Sequence, residues 1–263
     1  MLRFVSFLFI LFCTDHLLAQ SEYRLGARNL ALSGSTITIA DSWSPLNNVG
    51  TIGNVTRSTS SVTYQNRYNI KEFMVLGASG ILSTPWVNGG IGFYRFGNSL
   101  YSEQKINVAL GHRIQMVSLG VGLNLIQYHI EGLGSWNYWA LEFGGVAQLT
   151  DKFFIGTHIF NIKVDPLLPI IMKMGISYRP IKTLMINLES EKSLQATTRI
   201  RSGIEYQIIH PLLLRTGFAT NPFSHSFGMG IRIQFLNLNF GISNQTDIGF
   251  IQELSLVLRP TGK

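Results

Sequence analysis

The stretch from Met116 to Tyr128, Met-Val-Ser-Leu-Gly-Val-Gly-Leu-Asn-Leu-Ile-Gln-Tyr, alternates over most of its length. Val117, Leu119, Val121, Leu123 and Leu125 fall on one side; Ser118, Gly120, Gly122 and Asn124 fall on the other. A period of two means a strand, because successive side chains leave opposite faces. The second face then decides the architecture. In a sandwich it would be wet and charged, whereas here it is glycine, serine and asparagine. That is the pattern of a barrel wall whose outer face meets lipid and whose inner face is polar and crowded.

The same theme recurs on either side. Phe227, Met229, Ile231, Ile233 and Phe235 oppose Gly228, Gly230, Arg232 and Gln234, and Leu238, Phe240 and Ile242 oppose Asn239, Gly241 and Ser243. About fourteen such segments follow one another, centred near Val62, Val75, Ile91, Val108, Val121, Phe143, Ile159, Ile176, Ile186, Ile204, Thr216, Ile231, Phe240 and Leu256. An even number suits a closed bacterial barrel. Closure is also required, since an open edge would leave backbone groups unsatisfied in hydrocarbon. The fold expected is an all-β transmembrane antiparallel barrel of about 14 strands over residues 56–263.

Connections alternate in length. Short turns are expected at Ile114-Gln115, Thr150 to Lys152, Pro180 to Thr183, His210-Pro211 and Leu236-Asn237, on the periplasmic side. Longer links are expected at Glu131 to Asn137, Asp165 to Pro169, Lys192 to Thr198, Asn221 to His225 and Asn244 to Gly249.

Only 13% of the 263 residues are charged, below the roughly 25% of ordinary soluble proteins. The formal net charge of +7 is carried by scattered residues rather than a basic block, which speaks against nucleic acid as a partner. At the start, Arg3 precedes an apolar run from Phe4 to Phe12, broken by Thr14, Asp15 and His16 before Leu17-Leu18-Ala19. This is the layout of a secretory signal over residues 1–19, too short for a spanning helix. The single cysteine, Cys13, lies inside it, so the processed chain is expected to hold no disulfide, no thiolate metal site and no cysteine nucleophile, and no cofactor is expected.

Residues 20–55 lack strand alternation. Their signal is Gly26-Ala27-Arg28-Asn29-Leu30-Ala31-Leu32-Ser33-Gly34, then Ile37-Thr38-Ile39-Ala40-Asp41-Ser42-Trp43, then Asn47-Asn48-Val49-Gly50. This series, with Tyr64-Gln65-Asn66-Arg67-Tyr68 and Lys71-Glu72 later, resembles the opening of FadL-like outer-membrane barrels, and in particular the PorV/PorQ branch of type IX secretion components of Bacteroidota. Asn48-Val49 stands where that branch carries Pro-Ala, and Ser33-Gly34 where it carries a glycine pair. The resemblance implies an N-terminal plug or hatch inside a fourteen-stranded barrel in the outer membrane of a Gram-negative bacterium. Arg28, Asp41, Asn47 and Asn48 are then the candidate contacts from plug to wall. The alternative is an ordinary tail lying beneath the barrel.

Alternation carried through the strands turns Arg113, Glu142, Lys173, Arg179, Glu189, Glu191, Arg199, Arg201, Glu205, Arg215, Arg232 and Glu253 inward. Folding the hairpin about residue 195 sets Glu189 opposite Arg201 and Glu191 opposite Arg199; the next sets Glu205 opposite Arg215. With Arg232 these form a lumen charge network, either bracing a filled interior or selecting solutes. Charge reversal at Arg201 is expected to destabilise the barrel, and a second reversal at Glu189 to restore it. Trp86, Trp136, Trp139, Tyr94, Tyr101, Tyr128, Tyr138 and Tyr178 sit near strand ends, where interfacial girdles are expected; Trp136 with Trp139 is the pair to consider as an aromatic box.

Catalysis finds little support. Neither Gly-x-Ser-x-Gly nor His-Glu-x-x-His occurs, and His112 with Ser118 is the one pair worth inspecting. The chain is therefore expected not to be an enzyme. Three functions stand open: an accessory barrel binding secretion-system or surface proteins, which the PorV/PorQ resemblance favours; a passive conduit for a hydrophobic small molecule, which the FadL resemblance favours; or a structural barrel with outer-membrane lipid as its only partner. The inward face reads as polar and charged, which suits an apolar passenger badly, so the accessory role leads.

Overall fold

The structure is a computed structural model, and it describes residues 23–162, 168–193, 196–246 and 248–260. The expected leader lies outside these residues. Fourteen strands follow in order: β1 (Thr59–Arg67), β2 (Met74–Leu82), β3 (Asn88–Gly97), β4 (Tyr101–Ile114), β5 (Val117–Ile130), β6 (Gly134–Gln148), β7 (Phe153–Phe160), β8 (Ile171–Ile181), β9 (Leu184–Ser193), β10 (Arg199–Ile209), β11 (Leu212–Ala219), β12 (Ser224–Ile233), β13 (Leu236–Gln245) and β14 (Gly249–Leu258). Each pairs antiparallel with its neighbours, and β1 returns to β14 to close the barrel. Every expected segment centre lies in its own strand.

The outer face is what the alternation requires. Along β5, Leu119, Val121 and Leu123 are exposed, with Val108 and Leu110 beside them on β4 and Leu141 and Phe143 on β6. Apolar side chains exposed over a whole circumference are stable only against hydrocarbon, so the barrel spans a bilayer.

Two-residue turns at 115–116, 182–183, 210–211 and 234–235 gather at one end, with 83–87 and 149–152; this is the turn end. The opposite, loop end carries, among the described residues, 68–73, 98–100, 131–133, 161–162, 168–170, 196–198, 220–223, 246 and 248. The link expected over 131–137 is shorter than supposed, because β6 already begins at Gly134 and continues the ladder through Tyr128↔Trp136.

Residues 23–55 run inside the barrel, with two short helices, α1 (Ala27–Ala31) and α2 (Ser44–Asn47), and a 3-10 turn over Val49–Asn54. Inward glycines make room for them. A Cβ on Gly92 would strike Leu46, one on Gly228 would strike Ala31, and one on Gly203 would strike Ser35 and Leu32. Among the tightest, a Cβ on Gly144 would strike Asn48 Oδ1 and Gly50 N, and one on Gly120 would strike the Val49 carbonyl. The glycines of the polar face are thus the mould into which the segment fits.

Candidate functional site in the barrel interior

One side of the interior is charged. The β9–β10 register sets Glu191 opposite Arg199 and Glu189 opposite Arg201, and β10–β11 sets Glu205 opposite Arg215. The internal segment enters this wall with arginines of its own. Arg24 Nη2 lies 2.5 Å from Glu189 Oε1 and 2.6 Å from Glu191 Oε2, and its Nη1 donates to the Gly34 carbonyl. Arg201 Nη2 lies 3.4 Å from Glu191 Oε1, and its Nη1 donates to the Ser33 carbonyl at 3.0 Å. Ile37 N–H donates to Glu189 Oε2 at 3.0 Å. The cross-strand pairs are therefore not isolated pairs: segment and wall share one cluster.

A second cluster surrounds Glu205. Arg28 donates to it through Nε (2.8 Å) and Nη2 (2.6 Å), and Arg215 Nε donates at 2.6 Å. Arg28 Nη1 also lies 3.4 Å from Asp41 Oδ2. Burial works against the charge of Arg28, but the Glu205 and Asp41 carboxylates outweigh it and hold its pKa above the ordinary arginine value. Buried ion pairs persist when geometry and extra hydrogen bonds offset desolvation, and here the bidentate fork supplies both. Glu253 ties the start of α1 to β14 by accepting from Gly26 N–H at 2.7 Å, with Thr63 and Gln65 completing its shell.

The asparagines behave otherwise than expected. Asn47 exchanges two hydrogen bonds with the backbone of Leu25, and Asn48 donates to the Ile37 carbonyl while accepting from Gly50 N–H. Their amides fold the segment on itself, and Asn48 meets the wall only by close approach to Gly144. A loop with many free backbone groups competes successfully for nearby amide side chains. Arg232, on β12 near the turn end, is half-buried and takes no part in the glutamate clusters that hold the segment.

The other side of the interior, toward the loop end, is aromatic. Tyr23 meets Tyr94 edge-on with centroids 5.2 Å apart, lies 6.3 Å from Phe160, and shares a 2.7 Å hydrogen bond between its hydroxyl and that of Tyr128. Tyr138 packs on Tyr128, and Leu25, Trp43, Ile126 and Leu168 complete the cluster. Burial, and next the Tyr128 hydroxyl, push the Tyr23 phenol upward. Lys105 Nζ lies 4.8 Å above Phe160 and 5.3 Å above Tyr23. Tyr94, Tyr128 and Tyr138, expected in interfacial girdles, thus face the interior instead. Tyr94 shares parity with the inward Gly90 and Gly92, and the register Tyr94↔Lys105↔Ile126↔Tyr138 carries one inward row across four strands. The expectation of a purely polar lumen is corrected at this end.

Two further pairs come apart. Trp136 and Trp139 are an odd number of residues apart in β6, so their rings leave opposite faces. His112 is exposed outward whereas Ser118 is fully buried inward, and the register pairs Ser118 with Arg113 instead. The histidine that does meet a charged partner is His158, whose Nε2 lies 3.0 Å from Glu142 Oε2; Asn107 donates to the other carboxylate oxygen at 2.6 Å. Arg24, Lys105 and His158 were absent from the sequence-derived candidates. Parity with Asn107 and Gly156 marks Lys105 and His158 as inward; nothing in the local pattern marks Arg24. On the outer wall, the small residues Ser60, Ala78 and Gly80 leave an apolar furrow of about 390 Å³ between Phe93, Ile91 and Leu256.

No protein-family model matches the chain, and no curated protein matches it. Solved structures do. A Pseudomonas aeruginosa FadL homologue aligns with a TM-score of 0.71 at 10% identity, covering 91% of this chain and 100% of that one. The Pseudomonas putida toluene transporter TodX aligns at 0.68 and 10% identity, covering 90% and 98%. The monoaromatic hydrocarbon channel CymD aligns at 0.67 and 10% identity, covering 92% and 99%. At such identities the likeness is one of fold: this chain is a closed fourteen-stranded antiparallel barrel similar in architecture to the FadL-type barrels.

Proposed function

We propose that the protein is an outer-membrane conduit for hydrophobic small molecules, with the aromatic cluster around Tyr23 as its receiving chamber. The observation that carries this is the inward cluster of Tyr94, Tyr128, Tyr138 and Phe160 near the loop end, closed by a tyrosine from the internal segment rather than by the wall. Aromatic rings bury an apolar guest well and position it by edge-to-face contact. Tyr23 occupies the place such a guest would take. The similarity in fold to hydrocarbon channels supports the same reading.

In this reading the internal segment is a plug. Arg24 and Arg28 moor it to Glu189, Glu191 and Glu205, and Tyr23 is the part nearest the chamber. The test is uptake of toluene into proteoliposomes. Tyr23→Ala is expected to raise the rate and Phe160→Asp to lower it. Rates equal to those of empty vesicles for the wild-type chain and Tyr23→Ala alike would refute the proposal.

The accessory role in secretion draws on the N-terminal motif series and stands second. Co-purification of secretion subunits from native membranes, with no bound hydrophobic molecule, would reverse the order.

A further inference from the structure

The positive charge of the chain is unevenly placed, and its concentration points to a site. At the turn end, inward or rim positions carry Arg57 just before β1, Arg113 on β4, Arg179 on β8, Arg232 on β12 and Arg259 just past β14. The inward positions between them are uncharged: Gln148, Gln207 and Asn237. Asp151 is exposed on the 149–152 turn at this end, and the two carboxylates nearest the lumen side of the mouth are already engaged. Glu205 is held by Arg28 and Arg215, and Asp41 accepts from Trp43 N–H and lies beside Arg28.

Arg179, Arg232 and Arg259 are left with surplus charge. Among the described residues none of the three makes an ion pair; Arg179 lies 4.0 Å over Phe154, and its Nε is enclosed without a hydrogen-bond partner. Electrostatically they are not separate either: Arg28 repels all three and Arg259 repels Arg232, while Glu205 attracts all three and Asp41 attracts Arg259. Like charges held together by a rigid wall are relieved by any anion that can bridge them, and guanidinium forks match the oxygens of phosphate and carboxylate.

We infer that the turn-end mouth of the lumen is a binding site for a soluble multivalent anion bearing phosphate or carboxylate groups. A lipid headgroup could supply the same oxygens, but the arginines lie on inward positions, away from the outer wall where lipids pack. Arg179 and Arg232 are half-buried while Arg259 is exposed, so the site is open to water from the turn end and backed by Arg28 within. This inference is independent of what passes through the chamber at the other end.

Calorimetric titration of the full chain in nonionic detergent, with pyrophosphate and with citrate, tests it against acetate at matched ionic strength. Both multivalent anions are expected to bind, with affinity falling at least about tenfold in Arg232→Gln/Arg259→Gln, since charged hydrogen bonds to the anion are lost. The charge-matched Lys71→Gln/Lys192→Gln, altered at the opposite, loop end, is expected to bind like wild type. Heat-modifiable migration on gels reports folding, and Arg259→Gln alone, beyond the last strand, serves if the double variant fails to fold. Equal losses in both double variants, or no preference over acetate, would overturn the site. Binding seen only in nanodiscs containing phosphatidylglycerol would overturn the soluble anion and assign the arginines to headgroups.

Discussion

Arg28 holds Glu205 by both arms of its guanidinium, Nε to Oε2 at 2.8 Å and Nη2 to Oε1 at 2.6 Å. Arg28 belongs to the internal segment and Glu205 to β10, so this fork joins two parts of the chain far apart in sequence. Arg215, one strand over, shares the same carboxylate. One anion therefore answers a cation from the wall and a cation from the segment.

Removing the segment's share should be costly. Arg28→Ala is expected to lower stability by about 3 kcal/mol, the scale of breaking a partly buried pair, read as a shift in the urea midpoint of detergent-solubilised protein. Arg28→Lys keeps the charge and loses the fork, and should recover only part. A midpoint unchanged in Arg28→Ala would show that the fork contributes nothing.

The close approach of the segment to Gly144 gives a second prediction. Gly144→Ala would drive a methyl into Asn48 and Gly50, whereas Gly89→Ala would meet only Leu110 Cδ2 at 4.0 Å. The first should destabilise by about 1–3 kcal/mol through overpacking; the second should leave the melting temperature nearly unchanged. Equal behaviour of the two would contradict the placement of the segment.

The charge swap at Glu189 and Arg201 takes a different outcome from the one their register alone suggests. Glu189 also receives Arg24 and the Ile37 amide. Arg201→Glu should destabilise the barrel, and Glu189→Arg added to it should restore only a fraction, because Arg24 would then face a cation. Adding Arg24→Glu as a third change should restore more. Full rescue by the double swap would mean that Arg24 is not part of the cluster.

Tryptophan positions offer a spectroscopic check. Trp43 is 2% exposed inside the barrel and Trp139 is 62% exposed on the outer face. In bilayers of brominated lipid, a variant retaining only Trp139 should lose most of its fluorescence, and one retaining only Trp43 should keep it. The opposite result would invert the wall.

The wall was legible in the sequence because lipid on one side and a crowded interior on the other enforce a strict period of two, so Val117 to Leu125 could be assigned face by face. The same period gave the pairing of Glu205 with Arg215. It also contained the answer for Trp136 and Trp139, whose odd spacing already places them on opposite faces, and for Tyr94, in step with Gly90 and Gly92. Those were misread by weighing residue type above parity. Arg24 and Tyr23 were beyond reach: they lie in a segment with no period of its own, whose positions are dictated by the glycines and glutamates of strands far downstream. Asn47 and Asn48 were misjudged for the same reason, since only the folded path brings Leu25 and Ile37 within range of their amides.

The fit between Gly50 and Gly144, with backbone against backbone, bears on how the molecule can be made. Entry into a ring already sealed at β1 and β14 would have to force this backbone contact into place. Hairpins that curl around the N-terminal stretch as a casting forms around its mandrel, with the seam joined last, would avoid that. The internal stretch would then dictate the girth of the wall that forms around it.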